Sequence, residues 1–395
     1  MSDLQSAATR AVRAALESDT QHGAVVPPIH LTSTYAFTAF GEKRCYDYTR
    51  SGNPTRDALA EAIASLEGGA GGVITASGMA AVALVCQLLK ADELLVAPHD
   101  CYGGTYRLFD ALAKRGALSV EFVDQTDSKA LDRVFERQPK LVWVETPSNP
   151  LLRIVDIASI AQRAKHVGAL LLVDNTFLSP GWQRPLALGA DLVLHSTTKY
   201  LNGHSDVVGG AVIAATPALQ ERLTWWANCI GVTGAPFDSY LTLRGLRTLY
   251  ARLKVHGDNA TAVAELLSSH PAISRVYYPG LASHPQHVLA CAQQSGFGAM
   301  VSFELKGGIP NVCAFLHGLR CFSLAESLGG VESLVAHPAT MTHAAMNVEA
   351  RRIAGISDTL LRLSIGIEEK EDLIADLRAA LDRATTARMK EADGG

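Results

Sequence analysis

The sequence predicts an α/β protein with a large, mainly parallel seven-stranded sheet and a smaller C-terminal α+β domain. Three observations support this prediction. The chain of 395 residues is long enough for more than one domain. Its middle part alternates short apolar segments with helical patterns. Beyond about residue 250 the helices become longer and the strands fewer. The predicted parts are an arm (1–55), a large α/β domain (56–250) and a C-terminal domain (251–395).

Seven short apolar segments are the predicted strands of the large sheet. Helical patterns such as "DIASIAQRAKH" separate most of them, as expected where helical crossovers join parallel strands. In chain order the predicted strands are "GGVITA", "ELLVAP", "SVEFVD", "KLVWVET", "ALLLVDNT", "DLVLHS" and "VVGGAVIA".

The C-terminal region predicts one long helix, three strands and a closing helix. "HGDNATAVAELLSSHP" has a helical pattern, and "ISRVYYP", "AMVSFELKG" and "LLRLSIGIE" are typical of strands. In "KEDLIADLRAALDRA" the apolar residues fall on one helical face, which indicates a helix that packs on a sheet. At the other end of the chain, Pro27, Pro28 and the turn-rich "YTRSGNPT" predict an extended arm.

Composition points to small-molecule partners. The formal net charge is −4, from 35 Lys+Arg and 39 Asp+Glu, and no basic run indicates nucleic-acid binding. No segment reaches the roughly 20 apolar residues of a membrane span, and we expect a soluble, cytoplasmic protein. The 7 cysteines form no CxxC pair and the 13 histidines no HExxH motif, so neither a disulfide framework nor a metal site is expected.

Polar residues follow five of the predicted strands. Because ligands of open α/β sheets bind at the carboxyl ends of the strands, we expect these residues to converge on one crevice. The five sets are Ser77 with Gly78, His99 to Tyr102, Glu145 to Asn149, Asp174 to Thr176, and Ser196 to Lys199.

This collection predicts a cofactor with a phosphate, an aromatic ring and an aldehyde. A helix opened by Ser77, Gly78 and Met79 would bind an anion at its N-terminus. Hydroxyls of Ser196 and Thr198 could add donors to the same phosphate.

The ring and the aldehyde have their own candidate partners. Tyr102 offers a face for stacking, and Asp174 could keep a pyridine nitrogen protonated. Lys199 would supply the amine for a Schiff base. Taken singly, each residue has an ordinary structural interpretation. Lys199 could be a solvated loop residue, Asp174 a helix cap, and Tyr102 a core or surface residue.

The same residues lie in segments that resemble a known family. "DNTFLSPGWQRPLALGADLVLHSTTKYLNGHSDVVGG" resembles the cofactor-lysine segment of the Cys/Met-metabolism pyridoxal-phosphate enzymes, the transsulfuration branch of fold type I. The resemblance extends from about residue 20 to residue 385. It includes "YTRSGNPTR", "ASGMAA", "DCYGGTYRLF", "ETPSNP", "SLAESLGGVESLVAHPATMTH" and "LLRLSIGIEE".

The resemblance implies pyridoxal 5'-phosphate as cofactor and a role for each site residue. Lys199 is implied as the Schiff-base lysine, Asp174 as the partner of the pyridine nitrogen and Tyr102 as the stacking ring. The implied phosphate cradle is formed by Gly78, Met79, Ser196 and Thr198 of one subunit and by Tyr48 and Arg50 of a neighbouring subunit. A homotetramer built from two catalytic dimers is therefore expected.

The resemblance also implies an amino-acid substrate. Arg362 and Ser327 are implied as anchors of its carboxylate, with Asn149 beside the cofactor. The chain is most similar to members that replace the γ-substituent of an O-acyl homoserine with cysteine to give cystathionine. Asp47 and Arg107 fit the pattern of these members, whereas Glu326 also occurs in members that split cystathionine and is implied to position the cationic amine of cysteine or cystathionine. Ser51 stands where some of these members carry a second arginine, so recognition of a succinyl ester would rest mainly on Arg107.

Two alternatives stay open at this stage. "YPGLASHPQH" is similar to members that split cystathionine into cysteine, 2-oxobutanoate and ammonia. A protein of this fold that binds ligands without catalysis is the other alternative.

Overall fold

The computed structural model describes residues 5–344 and 348–393. It confirms the predicted fold class, with one large sheet and one smaller sheet. The chain divides into two compact units. The large unit comprises Met1–Pro98, Gly104–Glu145 and Asp156–Tyr250, and the small unit His99–Gly103, Thr146–Val155 and Ala251–Gly395.

The large sheet has seven strands in the order β1-β7-β6-β5-β4-β2-β3. Five neighbouring strands, β6, β5, β4, β2 and β3, run parallel to one another, whereas β7 is antiparallel to both β6 and β1. All seven predicted strands are present. They are β1 (Gly71–Thr75), β2 (Leu94–Pro98), β3 (Ser119–Val123), β4 (Leu141–Glu145), β5 (Leu170–Asp174), β6 (Leu192–His195) and β7 (Gly210–Ala214).

Helices surround this sheet, and the sequence determines several of their ends. Asn53 caps the second helix by accepting hydrogen bonds from the N–H groups of Thr55 and Arg56, and Gly168 ends the sixth with a φ of +69°. The helices are α1 (Ala7–Val12), α2 (Pro54–Glu67), α3 (Gly78–Cys86), α4 (Gly103–Lys114), α5 (Ser128–Glu136), α6 (Ile157–Val167), α7 (Ser179–Trp182), α8 (Pro217–Ile230) and α9 (Pro236–Leu246).

One hydrophobic core cluster of the large unit lies on one face of the sheet. Trp143, Leu172 and Leu194 point to this face, where residues of α3 and α8 cover them. Both faces of the central strands are buried, which explains why their sequences are apolar throughout instead of alternating. Because the central strands are apolar along their length, the polar residues that could take part in catalysis lie at the strand ends.

The small unit has a five-stranded sheet in the order β10-β11-β12-β9-β8. The three predicted strands are β8 (Ile273–Tyr277), β9 (Met300–Leu305) and β12 (Leu360–Ser364). Two shorter strands, β10 (Phe322–Leu324) and β11 (Ser333–Ala336), were not predicted. The helices are α10 (Leu249–Ser269), α11 (His287–Gln293), α12 (Ile309–Leu316), α13 (Val348–Ala354) and α14 (Lys370–Asp393). Among the described helices, none is long and apolar enough to cross a membrane.

Candidate active site

Asp174 is the last residue of β5 and connects to the end of β6 through Thr176. Its Oδ1 accepts a hydrogen bond from the Thr176 N–H (3.0 Å), and the Thr176 hydroxyl accepts one from the Ser196 N–H (2.9 Å). Burial raises the pKa of Asp174, while the hydrogen bonds from Thr176 and the charge of His195 oppose that rise. A basic nitrogen that bound here would offset the desolvation of the carboxylate.

Lys199 lies in the turn after β6, and the backbone around it is held by hydrogen bonds. Its N–H donates to the Ser196 carbonyl (3.2 Å), and its carbonyl accepts from the Gly203 N–H (2.8 Å). Helix α9 approaches this turn so closely that a Cβ at Gly245 would overlap the carbonyl of Asn202. The lysine is therefore carried on a packed turn at the carboxyl end of the sheet.

The N-terminus of α3 faces Ser196 across a narrow space. Ser77 caps the helix, with its Oγ accepting from the Ala80 N–H (3.1 Å). A Cβ added at Gly78 would lie 3.0 Å from the Ser196 Cβ and 3.1 Å from its Oγ. A side chain at position 78 would therefore fill the space between the helix start and the hydroxyl. Met79 follows in the first turn and packs against the core.

These groups fit pyridoxal phosphate by their chemistry. The N-terminus of a nine-residue helix, with a serine hydroxyl next to it, suits a phosphate. A partly exposed carboxylate at a strand end suits a pyridinium nitrogen, and a lysine suits an aldehyde. The Thr198 hydroxyl contacts the backbone of Gly209, accepting from its N–H (3.0 Å) and donating to its carbonyl (3.2 Å). Thr198 thereby fixes the loop before β7.

In the small unit, Arg362 lies in β12 and is 3% exposed. Its Nη1 donates to Asn149 Oδ1 and its Nη2 to the Ser327 carbonyl, both at 2.9 Å. Both donors belong to one planar guanidinium, so the two partners fix its plane. Ser327 contributes a backbone carbonyl to this arrangement. Glu326, the preceding residue, is exposed.

The loop that carries Asn149 is held in turn by the buried carboxylate of Asp100. Asp100 accepts hydrogen bonds from the hydroxyl of Ser148 (2.8 Å) and from Nη1 of Arg153 (2.9 Å). Ser302, which pairs with Arg362 across β9 and β12, donates its hydroxyl to the Pro150 carbonyl (2.7 Å). The loop that carries Asn149 is thus fixed on both sides.

His343 adds a neutral ring to the same region of the small unit. Burial lowers its pKa to about 4, and the nearby charge of Arg362 acts in the same direction. Its Nδ1 lies 2.9 Å from the Thr342 hydroxyl. Because the ring is uncharged at neutral pH, it does not place a second positive charge beside Arg362.

The remaining predicted residues are more exposed. Tyr102, in the small unit, directly precedes α4, and Arg107 lies on the exposed side of α4. Asp47, Tyr48 and Arg50 form a turn in the large unit, where Asp47 Oδ1 accepts from the Tyr48 N–H (2.7 Å) and from Ser51 Oγ (2.8 Å).

The side chain of Arg50, in the same turn, is held by two contacts. Arg50 Nε donates to Asn228 Oδ1 (3.1 Å), and its guanidinium lies 5.7 Å from the centre of the Tyr48 ring. The hydrogen bonds from Ser51 and from the Tyr48 N–H lower the pKa of Asp47. The predicted contact of Tyr48 and Arg50 with a neighbouring subunit stays a prediction.

Sequence reasoning gave no role to several residues that support the site. Thr176 was grouped with the strand-end residues, but its link between Asp174 and Ser196 depends on the pairing of β5 with β6. Glu67 and His195 form a buried contact between residues 128 positions apart. The sequence signal for this contact is His195, a histidine at the end of the otherwise apolar strand in "DLVLH".

A mainly parallel α/β sheet with a lysine, a carboxylate and an anion-binding helix start at its strand ends defines a pyridoxal-phosphate enzyme of fold type I. A family model described as Cys/Met metabolism PLP-dependent enzyme matches residues 8–382. The chain therefore belongs to this family.

Individual relatives give a finer comparison. The chain is 62% identical over 371 residues to cystathionine gamma-synthase of Escherichia coli (strain K12), covering 94% of this chain and 96% of the relative. It is 47% identical to cystathionine gamma-lyase of Sus scrofa, covering 95% and 94%. Cystathionine gamma synthase of Xanthomonas oryzae pv. oryzae, solved in complex with cystathionine, superposes with a TM-score of 0.96 at 63% identity, covering 97% and 99%.

Proposed function

We propose that this chain is a pyridoxal-phosphate-dependent cystathionine γ-synthase. It replaces the γ-acyloxy group of an O-acyl homoserine with the thiol of cysteine to give cystathionine, a step of methionine biosynthesis. The observation that carries this proposal is the 62% and 63% identity to gamma-synthases over nearly the whole chain. The lower identity to a gamma-lyase, 47%, supports the same choice.

The large unit would hold the cofactor. Lys199 would bind its aldehyde, and Asp174 would hold its ring nitrogen protonated. The start of α3 at Gly78 and Met79 would bind its phosphate, together with the Ser196 hydroxyl and with the Thr198 hydroxyl once its proton turns away from the Gly209 carbonyl. Pyridoxal phosphate supplies an electron sink that makes the Cα hydrogen, and then the Cβ hydrogens, of a bound amino acid acidic.

Residues of the small unit would bind the substrate. Arg362 would pair with the α-carboxylate through its planar fork, with its orientation set by Asn149 and the Ser327 carbonyl. Exposed Glu326 would attract the cationic amine of cysteine. For the acyl group of the ester we propose two residues of the large unit, Arg107 as its contact and Asp47 as a further part of the substrate site.

Proton transfer would be carried out by Lys199. Once displaced by the substrate amine, its Nζ would remove the Cα proton and move protons to and from Cβ, with the Tyr102 hydroxyl assisting. Loss of the acyloxy group and addition of the cysteine sulfur at Cγ then convert the ester into a thioether. In the stacked arrangement Tyr102 would also cover one face of the ring.

The N-terminal arm supports assembly into a catalytic dimer, and two dimers would form a homotetramer. Several large apolar side chains of the arm are exposed in the single chain, among them Leu31 (69%) and Phe40 (107%). Exposed apolar side chains concentrated in one segment are typical of an interface. In the dimer, Tyr48 and Arg50 would reach the phosphate bound by the neighbouring subunit.

The test is a rate comparison on the purified holoenzyme. One assay supplies O-succinyl or O-acetyl homoserine with cysteine and measures cystathionine. The other supplies cystathionine and measures cysteine and 2-oxobutanoate. We expect cystathionine synthesis to be the faster reaction. Faster breakdown of cystathionine would favour the second candidate, cystathionine γ-lyase, for which the segment "YPGLASHPQH" is the specific sequence support.

A further inference from the structure

A buried polar network lies beside the end of β5 in the large unit. Glu67, the last residue of α2, places its Oε1 2.7 Å from His195 Nε2 and 2.9 Å from Asn175 Nδ2. Asn175 also donates to the Gln183 carbonyl (2.8 Å) and accepts from Gln183 Nε2 (3.1 Å). All four residues are at most 2% exposed.

The network lies behind Asp174, on the other face of the sheet. Side chains alternate between the faces of a strand, so Asp174 shares its face with Leu172, and Asn175 takes the opposite one. His195 likewise points away from Leu194, which belongs to the core beneath α3. The network therefore holds the residue after Asp174 without occupying the face on which Asp174 lies.

The backbone at this point is held as well. The Asn175 N–H donates to the Leu194 carbonyl (2.9 Å), and the Asn175 carbonyl accepts from the Ser179 N–H (2.8 Å). With its side-chain amide donating twice and accepting once, Asn175 has little freedom to move. Because Asp174 is bonded to Asn175, the position of the Asp174 backbone is restricted as well.

The polar groups of the network are buried, and Glu67 Oε1 has two partners among them. A buried carboxylate is stable when donors and a compensating charge surround it. Asn175 Nδ2 and His195 Nε2 both contact Glu67 Oε1, whereas Glu67 Oε2 and His195 Nδ1 are buried without a hydrogen-bond partner among the described residues. The electrostatic effect of His195 lowers the pKa of Asp174 and so opposes the larger effect of burial.

A glutamate buried beside a histidine adds little net stability compared with apolar residues of similar volume. Packing alone therefore gives no reason for a glutamate and a histidine here. Their location behind Asp174, the proposed partner of the cofactor, provides such a reason.

We propose that Glu67, through its contacts with His195 and Asn175, fixes the end of β5 and so holds Asp174 in place for the ring nitrogen of pyridoxal phosphate. Glu67 and His195 are thus positioning residues. The inference rests on the proposed function, since it assumes that Asp174 is the partner of that nitrogen.

The test is solid-state nitrogen-15 NMR of holoenzyme loaded with pyridoxal phosphate labelled at its ring nitrogen. The wild type is compared with Glu67→Gln, His195→Gln and Asp174→Asn. We expect a protonated ring nitrogen in the wild type, an unprotonated one in Asp174→Asn, and a shift toward the unprotonated signal in the other two variants. Equilibrium dialysis of pyridoxal phosphate should show about 10-fold weaker binding for these two, equivalent to about 1.4 kcal/mol.

The matched control is Asn311→Leu. Asn311 is also buried, at 1% exposure, and donates to the Ala384 carbonyl (2.8 Å) where α12 meets α14 in the small unit. Its replacement should lower thermal stability and leave the nitrogen-15 signal at the wild-type position. A shift in the control equal to that in Glu67→Gln would mean that any loss of stability moves the signal, and would overturn the proposal.

The outcomes separate this inference from the proposed function. If Asp174→Asn changes the signal while Glu67→Gln and His195→Gln leave it at the wild-type position, the inference is wrong and the role of Asp174 stands. If Asp174→Asn leaves the signal unchanged, the proposed role of Asp174 fails, and the inference fails with it. Should one of the two network variants fail to fold, the other decides.

Discussion

Arg362 and Ser327 are joined by a hydrogen bond of 2.9 Å from the guanidinium to the backbone carbonyl of the serine. Ser327 has a φ of +85°, a left-handed conformation that is uncommon for residues with a side chain. Strained backbone of this kind is found at binding sites that the surrounding structure holds in place. The guanidinium plane is therefore set before a substrate arrives, which lowers the entropic cost of binding a carboxylate.

Replacing Arg362 with lysine keeps the charge but removes the planar fork. We expect KM for O-acyl homoserine and for cystathionine to rise about 10- to 100-fold, since a charged hydrogen bond contributes about 1.5–3 kcal/mol. Steady-state kinetics with each substrate measures this. Arg275→Lys is the control, because Arg275 stacks on Tyr277 in the same sheet and has no proposed contact with substrate. An unchanged KM in Arg362→Lys would contradict the assignment.

Arg107 is the proposed contact of a succinyl group. With Arg107→Ala we expect KM for O-succinyl homoserine to rise about 10-fold, as expected for loss of a partly solvated ion pair. KM for O-acetyl homoserine, which lacks the terminal carboxylate, should stay the same. Arg115→Ala removes an exposed charge just beyond the end of α4 and should change neither value. Equal effects of Arg107→Ala on both esters would show that Arg107 does not recognise the succinyl carboxylate.

Gly245 permits the close approach of α9 to the turn that carries Lys199. Gly245→Ala should cost about 1–3 kcal/mol of unfolding free energy, because its methyl group would overlap the Asn202 carbonyl. The affinity for pyridoxal phosphate should also fall, since that turn must move. Thermal melts and equilibrium dialysis measure the two effects. Gly308→Ala, whose Cβ would lie 3.6 Å from Pro310 Cδ, replaces the N-cap of α12 and should cost at most about 1 kcal/mol while leaving the affinity unchanged.

His256 makes stability depend on pH. The ring is 0% exposed and donates from Nδ1 to the Ile365 carbonyl (2.7 Å), and burial lowers its pKa from 6.5 to about 4. The unfolded chain therefore binds a proton below about pH 6.5 that the folded chain does not bind. Its contribution to stability is complete above that pH and declines toward pH 4 by about 1.4 kcal/mol per pH unit.

The variant His256→Gln should show a shallower decline of melting temperature between these two pH values. His166→Gln, at an exposed position of α6, should retain the wild-type slope. A wild-type slope in His256→Gln would show that the buried ring does not titrate as described.

The fold was largely predictable because the strands of the large sheet are continuous apolar segments bounded by turns. The same reasoning missed β10 and β11, which have three and four residues and lie in the mixed segment "FSLAESLGGVESLVA". Such short strands form because β12 provides a neighbour to pair with β11, not because of their own pattern.

The candidate site was predictable only in part. Asp174, Ser196 and Lys199 stand at strand ends, where the position itself indicates function. The partners that fix them come from distant parts of the chain: Glu67 contacts Asn175 over 108 positions, and Arg362 contacts Asn149 over 213. Pairings of this kind depend on tertiary structure and leave no local pattern in the sequence.

The attachment of the cofactor to Lys199 is the central claim, and borohydride reduction of the native holoenzyme tests it most directly. Reduction fixes the cofactor to its amine, and peptide mapping by mass spectrometry then locates it. We predict one pyridoxyl group per chain, on the peptide that contains "HSTTKYLNGH", and none in Lys199→Ala. A pyridoxyl group on another lysine of the wild type, or on no residue, would contradict the account.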